Sequence, residues 1–190
     1  MMRPVLTETE YRNLRNSVKQ KSVMKAIRSG DDKQKTKLLQ MNYSCLPNDD
    51  GSLKGSTRMS TTVGMDIDWT PSPLPHEGEE QIAARKEEWL RTVPELVLSK
   101  KDELGLLMLE RSATKGYHLV FRRRPELTQE ENLKWASELL GVKFDKGAKD
   151  ITRVFFTTTG SEEDLLYLDD EIFRPTPVPL PVSEGSIYIC

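Results

Sequence analysis

Cysteine, histidine and long apolar runs are what this chain has least of. Cys45 and Cys190 are the only cysteines, and His76 and His118 the only histidines. Two thiols cannot build a four-cysteine zinc site, and the two histidines offer no spacing that completes a mixed one, so a structural zinc is not expected. No apolar stretch approaches the ~20 residues that a membrane-spanning helix needs. The N-terminus also lacks the apolar core of a signal peptide, so a cytoplasmic protein without a membrane partner is the expectation. Hydrophobic residues make up only 36% of the 190 and charged residues 31%. That balance still allows one domain with a real core and a wet surface.

Net charge is also nearly absent, at −2, but this sum conceals an asymmetry. Residues 3–37 hold ten Lys or Arg against four acids, whereas residues 161–190 hold one Arg against seven acids. A basic N-terminal region suits nucleic-acid phosphates, although solvated charge on helix surfaces is the commoner reason for such a run. The global charge does not announce a nucleic-acid binder.

The order of elements points to an α+β domain. Thr7-Glu8-Thr9-Glu10 is arranged as a capping box, and the apolar spacing from Tyr11 to Ile27 predicts one opening helix ending near Gly30. A second short helix is expected from Asp31 or Asp32 to about Gln40, then a loop from Asn42 to Ser60. Thr62–Asp68 reads as a strand, and Glu79–Thr92 as a helix stopped by Pro94. Leu104–Leu109 and Tyr117–Phe121 predict a hairpin around the polar loop Glu110–Gly116. A second capping box at Thr128–Glu131 opens a helix that Gly141 closes. Ile151–Thr157 is β-branched and aromatic, as a strand would be. Leu165–Leu168 and Ile172-Phe173 are candidate short strands, and residues 174–190 form a proline-rich C-terminal tail or linker.

Within this frame a few residues carry chemistry. Side chains i and i+2 leave the same face of a strand, so Asp66 and Asp68 project together from Val63-Gly64-Met65-Asp66-Ile67-Asp68. Two neighbouring carboxylates need a positive partner, and a hard cation such as Mg²⁺ or Mn²⁺ is a natural one; strand-end acids paired with Lys or Arg are the alternative. His118 enters a hydrophobic strand directly after Lys115-Gly116, a loop whose backbone N–H groups could face an anion. A third acid is expected at Asp150, with Asp145 as its nearest competitor, and Arg153 is placed to meet phosphate or an acid. Arg122-Arg123-Arg124 suits template phosphates about as well as it suits solvent.

Taken in order, Gly-Met-Asp66-Ile-Asp68, Ser112-Ala-Thr-Lys-Gly-Tyr-His118 and Lys-Asp150-Ile-Thr-Arg153 resemble the three motifs of the archaeo-eukaryotic primase superfamily. The likeness is to primase-like N-terminal domains of bacterial mobile-element proteins, the VirE N-terminal-like group, and covers roughly residues 10–173. The stretch from Lys37 to Pro47 and the Asp-x-x-Arg-hydrophobic motif also look like that group. The resemblance implies a catalytic domain over residues 1–173, built from an α/β unit and an RNA-recognition-motif-like unit around one cleft. It implies metal ligation by Asp66, Asp68 and Asp150, and nucleotide contact by His118, with Lys115, Gly116 and Arg153 beside it. Ser112 lies farther from His118 than the family's Ser-x-His pattern places it, which leaves Thr114 and Lys115 as the loop contacts.

The expected activity is DNA-templated nucleotidyl transfer by a primase or primase-polymerase during replication of a mobile element. Its partners would be an NTP or dNTP, a single-stranded DNA template, and a helicase or ATPase region on another chain or in a longer relative. Two other readings remain beside it: a non-catalytic single-stranded-DNA-binding replication module, and a metal-dependent nuclease.

Overall fold

The computed structural model describes residues 3–72 and 74–174; the proline-rich tail beyond Arg174 lies outside the described residues. Thr7 caps α1 (Glu8–Arg15) by accepting from the Glu10 N–H, as the capping pattern predicts. The single opening helix is in fact two. The Ser17 side chain accepts from the Gln20 N–H and starts α2 (Val18–Arg28), so Asn16-Ser17 becomes a corner. A serine at this position gives the backbone donors a partner outside a continuous helix. The expected helix after Asp31 is a single 3₁₀ stretch, Asp32–Lys37, followed by the two-residue β1 (Gln40–Met41).

β2 spans Thr62–Asp68 as the alternation predicts. The helix that follows does not stop before Pro94: α3 runs Glu79–Ser99. Pro94 has no N–H for the Leu90 carbonyl, and the Tyr117 hydroxyl donates to that carbonyl instead. After a four-residue α4 (Lys101–Leu104) and left-handed Gly105, β3 (Leu106–Arg111) and β4 (Gly116–Arg122) form the expected hairpin. α5 (Gln129–Leu140) lies between the Thr128 capping box and left-handed Gly141.

The predicted strand Ile151–Thr157 shrinks to β5 (Phe155–Phe156), which pairs with β1. Asp145 caps a 3₁₀ stretch over Lys146–Lys149, and Asp150 accepts from the Thr152 N–H and hydroxyl. These side-chain bonds hold the backbone in turns where propensity alone favours a strand. β6 (Leu165–Leu168) is as expected, but Ile172-Phe173 falls in a 3₁₀ turn capped by Asp169.

Among the described residues the result is a mixed α and β fold with two antiparallel sheets: a β1-β5 ribbon and a four-stranded sheet ordered β2-β4-β3-β6. Odd residues of β2 and β4 (Val63, Met65, Ile67, Tyr117, Leu119, Phe121) form the main core with Val93 and Val97 of α3 and Leu133, Ala136 and Leu140 of α5. The other face carries Met108 and Val120 against Tyr11, Met41, Tyr43 and Phe155. That second face also holds every acid of interest on the sheet. Among the described residues no helix is long and apolar enough to cross a membrane.

Candidate active site

Antiparallel pairing places Asp66 of β2 opposite His118 of β4, and His118 opposite Glu110 of β3. Partners in register share a face, so the three side chains form a row across the sheet. His118 Nδ1 donates to Glu110 Oε1 at 2.7 Å, and His118 Nε2 lies 3.8 Å from Asp66 Oδ1. Behind the row, the fully buried Arg15 of α1 pairs with Glu110 Oε2 and donates to the Tyr11 hydroxyl at 2.7 Å. The N–H and hydroxyl of Thr158 also donate to Glu110 Oε2.

Charge within the row is fixed by these contacts. Burial alone would raise the Glu110 pKa, but Arg15 and the His118 hydrogen bond bring it down to about 2. Burial works against a charged imidazole, yet the hydrogen bond and charge of Glu110, with Asp66 beyond, hold the His118 pKa above its ordinary value. Burial pushes Asp66 the other way from most paired acids: its pKa is raised, with Asp68 and Asp145 adding to the effect and His118 and Arg153 only partly offsetting it.

The third acid beside Asp66 and Asp68 is Asp145, not Asp150. Ligand atoms of Asp66, Asp68 and Asp145 all lie within 4.8 Å of one another. Two bonds set Asp145 there: its N–H donates to the Asp66 carbonyl at 2.8 Å, and its Oδ1 accepts from the Gly147 N–H at 2.6 Å. The Asp150 carboxylate is exposed and turned to Thr152, whose two hydrogen bonds lower its pKa. The short side chain is committed to its own turn and stands outside the group.

The set suits a hard divalent cation. All the donors are carboxylate oxygens, and Asp66 Oδ1, on a side chain only 11% exposed, has no hydrogen-bond partner. Chain cations now lie against the same acids. Arg153 reaches Asp66 Oδ2 at 3.4 Å and Asp145 Oδ1 at 3.6 Å, and Lys115 reaches Asp68 Oδ2 at 3.3 Å. Arg153 fits because residue 147 is glycine; a Cβ there would meet Arg153 Nη1 at 1.7 Å.

A cleft of about 380 Å³ opens beside the acids, lined by Lys35, Asp66, His118, Arg153, Val154, Phe155 and Phe156. The Phe155 ring stands edge-on to His118, with centroids 5.2 Å apart. No family model, curated protein or solved structure matches this chain. The case for a function therefore rests on the chemistry of the site itself.

Several expected contacts are placed differently. The Gly116 N–H is bonded to the Ser112 hydroxyl at 2.9 Å and does not face the cleft. Gly116 is required for close strand approach instead, since a Cβ would lie 1.9 Å from the Ile67 carbonyl oxygen. Ser112 closes this turn. Of the three arginines after His118, Arg122 pairs with Glu171, Arg124 lies over the Trp135 ring at 3.8 Å, and Arg123 is buried on carbonyls of Ser44, Ser60 and Thr62. Burial lowers the Arg123 pKa to about 10.

Sequence reasoning missed Glu110, Arg15, Lys35 and Gly147. Glu110 had a signal: a hairpin centred on Thr114 pairs residue 110 with residue 118. Arg15 had none, because its partner lies 95 residues away.

Proposed function

We propose that this cleft binds a divalent cation and a nucleoside triphosphate and carries out DNA-templated nucleotidyl transfer, as a primase or primase-polymerase does. The observation that carries the proposal is the convergence of Asp66, Asp68 and Asp145 beside a cleft that also presents His118, Arg153 and Lys35. Carboxylates and cations side by side match the two things a nucleotide brings, a chelated metal and an anionic triphosphate.

Asp66, Asp68 and Asp145 would hold Mg²⁺ or Mn²⁺, which when bound supplies Lewis-acid stabilisation of phosphoryl oxygens and lowers the pKa of a bound hydroxyl. The rest of the work belongs to the chain. Glu110 accepts the Nδ1–H hydrogen bond of His118 and, with Asp66, favours the charged imidazolium, whose Nε2–H is the cleft-facing donor toward an anion. Arg153 and Lys35 add fixed positive charge to the cleft lining, and a guanidinium can grip phosphate oxygens in pairs. The buried Arg15 keeps Glu110 ionised, so this orientation is built before any ligand arrives.

The fold supports the same reading. β2, α3, β3, β4 and α5 follow one another in a βαββα order, with β4 between β2 and β3 and both long helices on one face. That arrangement is like the RNA-recognition-motif unit of the primase core, except that β6 joins the β3 edge. In this reading Lys35 of the 3₁₀ stretch after α2 and Phe155 and Phe156 of β5 complete the cleft beside the sheet. A helicase or ATPase on another chain and a mobile-element setting belong to the same proposal.

The test is a priming assay with labelled NTPs and dNTPs on single-stranded DNA. Synthesis that needs Mg²⁺ or Mn²⁺ and disappears in a folded Asp66→Ala chain supports the proposal. Binding of the strand without incorporation would reduce the chain to a replication module, and consumption of DNA without added nucleotide would make it a nuclease.

A further inference from the structure

Residues 18–37 carry seven cations, Lys19, Lys21, Lys25, Arg28, Lys33, Lys35 and Lys37, against Asp31 and Asp32. They occupy α2 and the 3₁₀ stretch that packs directly on it. Val23, Met24 and Ile27 of α2 turn inward with Leu38, which leaves the lysines outside. Arg28 pairs with the buried Asp164. Among the described residues none of the six lysines forms an ion pair, and Asp31 is engaged with the Gln34 amide.

Most cations on the other helices are paired instead. Arg12 pairs with Glu8, Arg91 with Glu88, Lys100 with Glu103 and Lys134 with Glu130. With six unpaired lysines against only Asp31 and Asp32 the surface keeps an excess of positive charge, and in physiological salt its field reaches only ~8 Å from each group. The field therefore acts on what touches this surface. One end of it enters the site: Lys35 lines the cleft with Asp66, His118 and Arg153, and its charge is felt at His118. The arginines that follow His118 are bound to a carboxylate, a ring and backbone carbonyls, so the strand path does not run through them.

We propose that the lysine surface of α2 and the following 3₁₀ stretch binds the phosphate backbone of a single DNA strand and leads it to the cleft at Lys35. The inference rests on the nucleotidyl-transfer reading of that cleft. The surface chemistry is electrostatic and independent of base sequence, because lysines neutralise phosphates and release counterions.

The experiment measures binding of a labelled oligothymidylate across a salt series, with no nucleotide and no divalent cation present. Replacing Lys21, Lys25, Lys33 and Lys37 together by Gln should weaken binding about tenfold or more and lower the salt slope by about 3, at roughly 0.7 per phosphate contact. The matched variant, with Lys54, Lys86, Lys101 and Lys143 replaced by Gln, changes net charge equally and should retain the wild-type slope. Equal weakening in both variants, or no loss in the first, overturns the proposal. The Asp66→Ala chain separates the two ideas: it should still bind the strand while losing synthesis. If it synthesises normally, the catalytic reading fails and the binding surface stands.

Discussion

His118 Nδ1 and Glu110 Oε1 lie 2.7 Å apart on neighbouring strands, with Arg15 on the far side of the carboxylate. The pair joins a cleft residue to an N-terminal helix that never reaches the cleft. Glu110 is thus a positioning residue, acting on the site through the imidazole. Replacing it by Gln keeps the shape but removes the charge that holds Nδ1 protonated. Glu110→Gln should raise the KM for nucleotide more than it lowers kcat, with the effect about 10–100-fold, as for other outer-shell groups. Steady-state incorporation at varied nucleotide concentration checks this.

Arg15 and Glu110 are both fully buried, and each is the other's counter-charge. Removing one partner leaves an uncompensated buried charge, which costs about 3–5 kcal/mol. Arg15→Met should show that loss in urea unfolding. The double variant Arg15→Met with Glu110→Leu should recover much of it, because no charge is then stranded.

Acid should weaken the fold through the same group. The folded-state pKa of Glu110 is about 2 against an ordinary 4.5, so its unfolded form binds the proton more readily. Its contribution to stability is fully present above the ordinary value and is lost as pH falls from about 4.5 toward 2. Unfolding free energies measured through that window should fall for the wild type. They should fall less steeply for Glu110→Gln.

Gly147 and Gly116 make contrasting tests of space. A Cβ at 147 meets the end of the flexible Arg153 side chain, whereas a Cβ at 116 meets the Ile67 backbone oxygen. Gly147→Ala should leave thermal stability near wild type while moving Arg153 off the acids and changing nucleotide affinity. Gly116→Ala should lower the melting temperature by disturbing the β2–β4 pairing beside Asp68. Melting curves and nucleotide titrations distinguish the two outcomes.

Much of the fold was legible where local rules agree with one another. β2 combines strict alternation with β-branched residues, and α5 has a capping box at one end and glycine at the other. Pro94 misled because the Leu90 carbonyl it leaves without a donor is bonded by Tyr117, 27 residues beyond Leu90. The Ile151–Thr157 segment misled because Asp145 and Asp150 make turns that composition does not reveal. In the site, Asp66, Asp68 and His118 share a face, as side-chain alternation and strand pairing require. The choice between Asp145 and Asp150 was not available from spacing, since it depends on which carboxylate its own turn consumes. Lys35 reaches the cleft only through the packing of α2 on the following 3₁₀ stretch.

The central claim, that Asp66, Asp68 and Asp145 form a metal-dependent nucleotidyl-transfer site, is tested most directly by nucleotide incorporation in Asp145→Asn and Asp150→Asn chains measured side by side. The account predicts that Asp145→Asn loses activity by more than the roughly 10–100-fold typical of outer-shell changes, while Asp150→Asn stays near wild type. Activity retained in Asp145→Asn and lost in a folded Asp150→Asn would contradict it.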